Sequence, residues 1–253
     1  MIKAIAFDLW ETLITNTPEI SVAHRRLRLE RMQALLRSSD AEIEYAYRAS
    51  WDRCQELYWS RDKDVPCRTQ VQHFLEALGS EPFDEPAMHA LEQAYAMVAV
   101  DILPELVPGA AELIPDLKRR GYLLGLVSNT GRTPGYALRK ILDRLGFLRL
   151  FDATVFSNEH GECKPQPSIF EALRQSLGVE FDEMLFVGDN LYADVYGAQK
   201  CGMTAVHFVP TQRGTAVAPP VDHGHVIEPA GTIHDLRDLV PLLECEIVET
   251  RRS

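Results

Sequence analysis

Three short apolar runs in this chain each stop on a polar residue. They are Ile2 to Phe7 before Asp8, Tyr122 to Val127 before Ser128, and Met184 to Val187 before Gly188 and Asp189. Runs of this length without polar alternation suit strands buried on both faces, the signature of a parallel sheet. Helix-length stretches separate the later ones: Pro108-Gly109 opens a helix that runs to Lys118, and Pro134 to Leu145 and Ser168 to Leu177 follow. Thr154 to Phe156 and Thr204 to Phe208 read as further strands, and Ala193 to Cys201 as a helix. A strand at His225 to Ile227 and a helix over Ile233 to Leu243 end the pattern, with a surface loop expected from Pro210 to Gly224. Strand and helix alternate, so the predicted fold is α/β, a doubly wound, Rossmann-like parallel sheet.

One block breaks the rhythm. From about Glu19 to Asp101 the pattern is helical throughout: Ile20 to Leu36, Ala41 to Tyr58, Val71 to Leu78 and Ala87 to Val100. Four helices with short polar joins make a small bundle. The expected organisation is a core formed by residues 1–15 and 105–253, with an all-α helical cap inserted as residues 16–104. At 253 residues the chain is long enough for both.

A formal net charge of −11 argues against nucleic acid and anionic membrane as partners. No apolar run approaches the roughly 20 residues needed to span a bilayer, and Asp8 comes too early for a signal peptide. Cys54, Cys67, Cys163, Cys201 and Cys245 are scattered and odd in number, without a CxxC, which fits reduced thiols in a cytoplasmic protein.

In open α/β sheets, ligands sit beyond the carboxyl ends of the strands. Those ends present Asp8 with Thr12, Ser128 with Asn129, and Asp189 with Asp194, while Gly161 to Pro165 places Lys164 in a turn before a helix. Covalent catalysis by an aspartate requires its charge to be steadied while another anion approaches. A lysine and a divalent cation supply that. Magnesium prefers oxygen ligands and takes one or two carboxylates, which Asp8 and Asp189 could provide, with Asp194 behind them. Arg132, in Ser-Asn-Thr-Gly-Arg, could bind a substrate anion or be a surface-loop arginine. His24, Arg25, Arg26 and His73 read as solvated faces.

Four pieces in order are similar to the haloacid dehalogenase superfamily, in the branch with a helical cap after the first strand. They are Phe-Asp-x-x-x-Thr-Leu at 7–13, Val-Ser-Asn at 127–129, Lys-Pro at 164–165 and Gly-Asp-Asn-x-x-x-Asp-x-x-Gly-Ala at 188–198. The resemblance runs from Ile2 to about Phe208. It implies that Asp8 is the nucleophile and that Thr12 orients it. It implies that Ser128 and Asn129 bind the transferring group and that Lys164 steadies the charges. Asp8, Asp189, Asp194 and the backbone carbonyl of Trp10 would build a Mg2+ site.

The departure is Trp10 itself. Phosphatases of the family carry a second aspartate there as general acid and base, a contribution of about 10²- to 10⁴-fold. An indole cannot titrate. The neighbouring Glu11, if the chain were extended, would point to the opposite side. Three readings stay open. One is a magnesium-dependent phosphatase of a small phosphorylated molecule with an undemanding leaving group. The second is a 2-haloacid dehalogenase-like hydrolase, which needs no acid but usually lacks the Gly-Asp pair kept here at 188–189. The third is a catalytically impaired binding or interaction protein.

Overall fold

The computed structural model describes residues 1–210 and 226–250, with side-chain environments given as far as Glu244. Six strands form one parallel sheet in the order β5-β4-β1-β6-β7-β8: β1 Ala4–Phe7, β4 Leu123–Ser128, β5 Ala153–Phe156, β6 Met184–Gly188, β7 Thr204–Phe208 and β8 Gly231–Ile233. β1 lies in the middle, with Phe7 in register with Leu126 on one side and Val187 on the other. That register brings Asp8, Ser128 and Asp189 to one edge, although they are far apart in sequence.

Alternation along β1 explains the two cores. Ile5 and Phe7 face a cluster with Leu113, Ile114, Leu138 and Ile141 of α6 (Ala110–Arg119) and α7 (Gly135–Arg144). Ala4 and Ala6 face the other side, where small side chains leave room for the Phe170–Phe186 edge-to-face pair and α9 (Pro167–Leu177). The remaining core helices are the single turn α8 (Ser157–His160), α10 (Gly197–Cys201) and α11 (Leu239–Thr250).

The helical insert leaves the core through a two-stranded neck. β2 (Ile14–Thr15) pairs antiparallel with β3 (Glu105–Leu106), which sets the two ends of the insert side by side. Between them stand α1 (Pro18–Leu36), α2 (Asp40–Leu57), α3 (Cys67–Ala77), α4 (Glu85–Ala96) and α5 (Val98–Asp101). Their starts follow capping chemistry. Thr17 accepts from Ile20 N–H, Ser39 and Glu42 form a capping box, and Asp84 accepts from Ala87 N–H. The insert buries its own core, including Met32, Ile43, Val71, Phe74, Leu91 and Tyr95.

Several expectations change. The last insert helix is two helices, interrupted at Met97. Val226 and Ile227 form no strand, and Val226 is exposed; the edge strand is Gly231–Ile233, paired with β7 and anchored by buried Ile233. The last helix accordingly starts later, at Leu239, after a 3₁₀ turn over Leu236–Asp238. The helix before β7 begins as a π-helical turn, Leu191–Tyr196. His225 and the loop expected at 211–224 lie outside the described residues. His24 and His73 are buried, not solvated: His24 Nε2 meets the Ile102 carbonyl at 2.7 Å, and His73 sits between Tyr58 and Glu76. Arg25 and Arg26 are exposed as expected. The four described cysteines are unpaired thiols. No described helix is long and apolar enough to cross a membrane.

Candidate active site

Asp8 is the residue after β1, and its N–H continues the ladder by donating to the Val187 carbonyl at 2.9 Å. The side chain is buried and emerges where three strands end. Thr12 Oγ1, four residues on, donates to Asp8 Oδ2 at 3.3 Å. Lys164 Nζ donates to Asp8 Oδ1 at 2.5 Å and to the Val127 carbonyl at 2.9 Å, and pairs with Asp194 Oδ1 at 2.7 Å. Two hydrogen bonds and an ion pair converge on the ammonium. Lys164 is therefore held as a fixed charge.

Asp8 and Lys164 are both shifted upward, for different reasons. Desolvation pushes the Asp8 carboxyl up to about 6; Lys164 opposes that rise and the like charge of Asp194 adds to it. Burial would lower Lys164, but Asp194 and Asp8 together hold its ammonium well above the ordinary lysine value.

Asp194 reaches the cluster because Gly188 gives way. A Cβ on Gly188 would lie 2.3 Å from Asp194 Oδ2. The same oxygen accepts from Asn190 N–H at 2.9 Å, and Asn190 Oδ1 in turn caps Tyr192 and Ala193. Asp8, Asp189 and Asp194 each present a carboxylate oxygen within 4.8 Å of the others. Three carboxylates against one ammonium leave an excess of negative charge, and the donor set is entirely oxygen. Both properties fit a hard divalent cation such as Mg2+.

The other expected site residues are placed as follows. Ser128 is fully buried at the end of β4, and among the described residues its hydroxyl makes only a long 3.4 Å hydrogen bond, to the Asn129 carbonyl. Asn129 has its amide on the Lys164 backbone: Oδ1 accepts from Lys164 N–H at 2.9 Å and Nδ2 donates to the Lys164 carbonyl at 3.2 Å. Its side-chain amide thereby braces the lysine turn. The Arg132 guanidinium is sandwiched 3.9 Å from the Tyr47 ring centre and 4.2 Å from that of Trp51. Held there, it is not a solvated loop arginine. Trp10 is half-buried and its ring packs on the core beside β1. Glu11 is buried with φ of 61°, so the chain turns there and the extended-strand argument about its direction does not apply. Its Oε2 accepts from Thr15 Oγ1 at 2.9 Å.

Sequence reading missed Asp64. This insert residue is 5% exposed and its carboxylate accepts from Trp59 Nε1, Val65 N–H, Thr130 Oγ1 and Ser157 Oγ. Within Asp-Lys-Asp at 62–64 nothing distinguishes it from a solvated turn.

The central strands of a parallel sheet thus deliver a buried aspartate to a lysine and two further carboxylates. The family model for haloacid dehalogenase-like hydrolases matches residues 2–202, and the chain belongs to that family. It is 33% identical over 208 residues to a glyceraldehyde 3-phosphate phosphatase of Pyrococcus abyssi, covering 82% of each chain. It is 28% identical over 245 residues to a ribulose-1,5-bisphosphate 5-phosphatase of Halopiger xanaduensis, covering 93% of this chain and 99% of that one. The crystal structure of a 2-haloacid dehalogenase from Pseudomonas syringae pv. tomato superposes with a TM-score of 0.69 at 22% identity, covering 96% and 99% of the two chains. At that identity the likeness concerns the fold.

Proposed function

We propose that this protein is a magnesium-dependent phosphatase of a small phosphorylated molecule, working through an aspartyl-phosphate on Asp8. The observation that carries the reading is the buried Asp8–Lys164–Asp194 cluster with Asp189 beside it. The names of the two relatives support it, as do the intact Gly188 and Asp189. Residues 16–104 act as a cap over a core of residues 1–15 and 105–253.

An attacking carboxylate has to meet a phosphoryl group that is itself anionic. Lys164 offsets that repulsion at one Asp8 oxygen, and Thr12 fixes the other. A carboxylate oxygen of Asp8 bonds to phosphorus as the bond from phosphorus to the leaving oxygen breaks. Water then attacks the phosphorus, releasing phosphate and regenerating the carboxylate. Rotation about χ1 lets the Ser128 hydroxyl exchange its long bond to Asn129 for one to a transferring oxygen. Asn129 holds Lys164 in place throughout. A magnesium ion held by Asp8 and Asp189, with Asp194 behind them and the Trp10 carbonyl available, would neutralise charge on the phosphoryl oxygens.

With an indole at position 10, no acid stands there to protonate the leaving oxygen. The substrate class that fits is one whose leaving oxygen departs readily. The same indole is the observation that favours a dehalogenase, since halide leaves without a proton. One experiment separates these readings: purified protein assayed with aryl and alkyl phosphates in Mg2+, and for chloride release from 2-chloropropionate. The expected result is Mg2+-dependent hydrolysis, fastest on the aryl ester and abolished in Asp8→Asn. Chloride release without phosphatase activity would overturn the phosphatase reading. Inertness in both assays by a folded protein would leave a binding role.

A further inference from the structure

The helical insert reaches the catalytic side chains by a route that no motif marks. Three consecutive residues of the β4–α7 loop are each gripped by it. Thr130 Oγ1 donates to Asp64 Oδ2 at 3.0 Å, and the Gly131 carbonyl accepts from Gln70 Nε2 at 2.8 Å. Arg132, between its two rings, donates to the Tyr95 hydroxyl at 3.1 Å and the Tyr47 carbonyl at 2.9 Å. One residue back, Asn129 is clasped to the backbone of Lys164.

The same part of the insert also pairs with the chain that leads into Lys164. Asp64 N–H donates to the Gly161 carbonyl at 3.0 Å and Cys163 N–H to the Asp62 carbonyl at 2.8 Å. Lys63 and Glu162 form an antiparallel bridge and an ion pair across the same seam. Lys164 is thus held on one side through Asn129 and the gripped loop, and on the other through residues 161–163. Asp64 is the group common to both sides. Its Oδ1 accepts from the Trp59 indole and Val65 N–H, both 2.8 Å away within the insert. Its Oδ2 accepts from two core hydroxyls, Thr130 and Ser157, and Ser157 Oγ also accepts from Thr130 N–H at 2.9 Å.

We infer that Asp64 is a positioning residue of the active site, through which docking of the insert sets the placement of Lys164 against Asp8. The inference rests on the phosphatase reading for its kinetic consequence, though not for its structural one. A carboxylate that receives four donors and bridges two segments fixes their relative placement, and the cluster at Asp8 tolerates little error. Misplacement on the order of 1 Å away from the chemistry can cost about 10²-fold.

The test uses the full-length protein with Asp64→Asn, Thr130→Val, which removes the hydroxyl at nearly constant shape, and Thr130→Ser, which keeps it. Asp64→Asn and Thr130→Val are expected to lower kcat by about 10- to 100-fold with KM little changed. Thr130→Ser restores most of the loss, and the double variant is no worse than either single one. Hydrogen exchange supplies a readout independent of activity. Amides of 128–131 and 163–164 exchange faster in both defective variants, while those of β6 and β7 do not change. Unchanged exchange at those amides would overturn the inference, as would faster exchange with an unaltered kcat. If the wild type hydrolyses no phosphate, the phosphatase reading fails, and exchange alone decides whether the insert holds the Lys164 turn. Should Asp64→Asn fail to fold, Thr130→Val carries both measurements.

Discussion

Gly188→Ala tests whether the placement of Asp194 is what makes the carboxylate cluster work. Gly188 lies outside the left-handed region, so alanine introduces no backbone strain and only the new methyl matters. That methyl would lie 2.3 Å from Asp194 Oδ2, 2.4 Å from Cγ and 2.6 Å from Cβ. Non-bonded heavy atoms settle at about 3.5–4.0 Å, so the aspartate has to retreat by about 1 Å. A retreat of that size loses the 2.9 Å bond from Asn190 N–H and stretches the ion pair of Oδ1 with Lys164, 2.7 Å in the native protein. Overpacking of this kind costs about 1–3 kcal/mol, and a fully broken buried ion pair about 3–5 kcal/mol. For a domain of this size the lower figures correspond to a fall in Tm of about 2–12 °C. The same displacement should reduce kcat/KM about 10²-fold and raise the Mg2+ concentration for half-maximal rate. Thermal unfolding with and without Mg2+ reads the first effect, since a ligand bound to the native state alone raises Tm. Steady-state Mg2+ titrations read the second. A Gly188→Ala protein with wild-type kcat/KM and Mg2+ dependence would refute the reasoning, because Asp194 would then have no need of its present position.

Three other substitutions probe separate links. Trp10→Asp places a titratable carboxyl where the family's phosphatases keep one; alkyl phosphate hydrolysis should rise by about 10²- to 10⁴-fold and aryl hydrolysis far less. Equal gains on both esters would contradict the leaving-group argument. The Asp8 carboxyl lies near 6 because of burial. Between its ordinary value and about 6, the folded metal-free protein binds a proton that the unfolded chain has released. This group therefore stabilises the fold as pH falls through 6 and costs stability as pH rises. Asp8→Asn should flatten that dependence and raise the stability of the EDTA-treated protein at pH 7 by about 1–3 kcal/mol, read by calorimetry; a lower Tm would reverse the sign. Arg132→Lys keeps the charge but loses the flat stacking surface between Tyr47 and Trp51, so unfolding should become easier by about 1–2 kcal/mol with a change in tryptophan emission. An unchanged Tm would show that the sandwich contributes no stability.

The clustered carboxylates were legible because a parallel sheet converts local sequence into a shared edge. Asp8 and Asp189 each follow a strand buried on both faces and Ser128 ends one, so each is marked by an apolar run, and strand register does the rest. Helix starts were legible for a comparable reason: Thr17, Ser39 and Asp84 cap their own helices within a few residues. Signals faded where a feature is shorter than its period. β2 and β3 have two residues each, too few for alternation to register, yet they form the neck of the insert. The edge strand Gly231–Ile233 has one buried side chain to announce it, and the β-branched pair at 226–227 was the stronger decoy. His24 and His73 defeat composition altogether, since each is buried against a partner supplied by tertiary structure.

Trp10 and Asp64 mark the two sides of that boundary. Trp10 stands inside a motif, so its chemistry could be weighed from sequence: an indole removes a proton donor while its backbone carbonyl stays. Asp64 stands in no motif, and its four hydrogen-bond donors come from Trp59, Val65, Thr130 and Ser157, two of them more than sixty residues away. The same holds for Asn129, whose amide closes on the backbone of Lys164. Residues such as Asp8 and Asp189 stand at strand ends and so are marked by local patterns. Residues that hold those residues in place are constrained by whichever segment packs against them, and in this chain that segment is the insert. A change of insert would leave the Asp8 motifs readable while altering how firmly Lys164 is held.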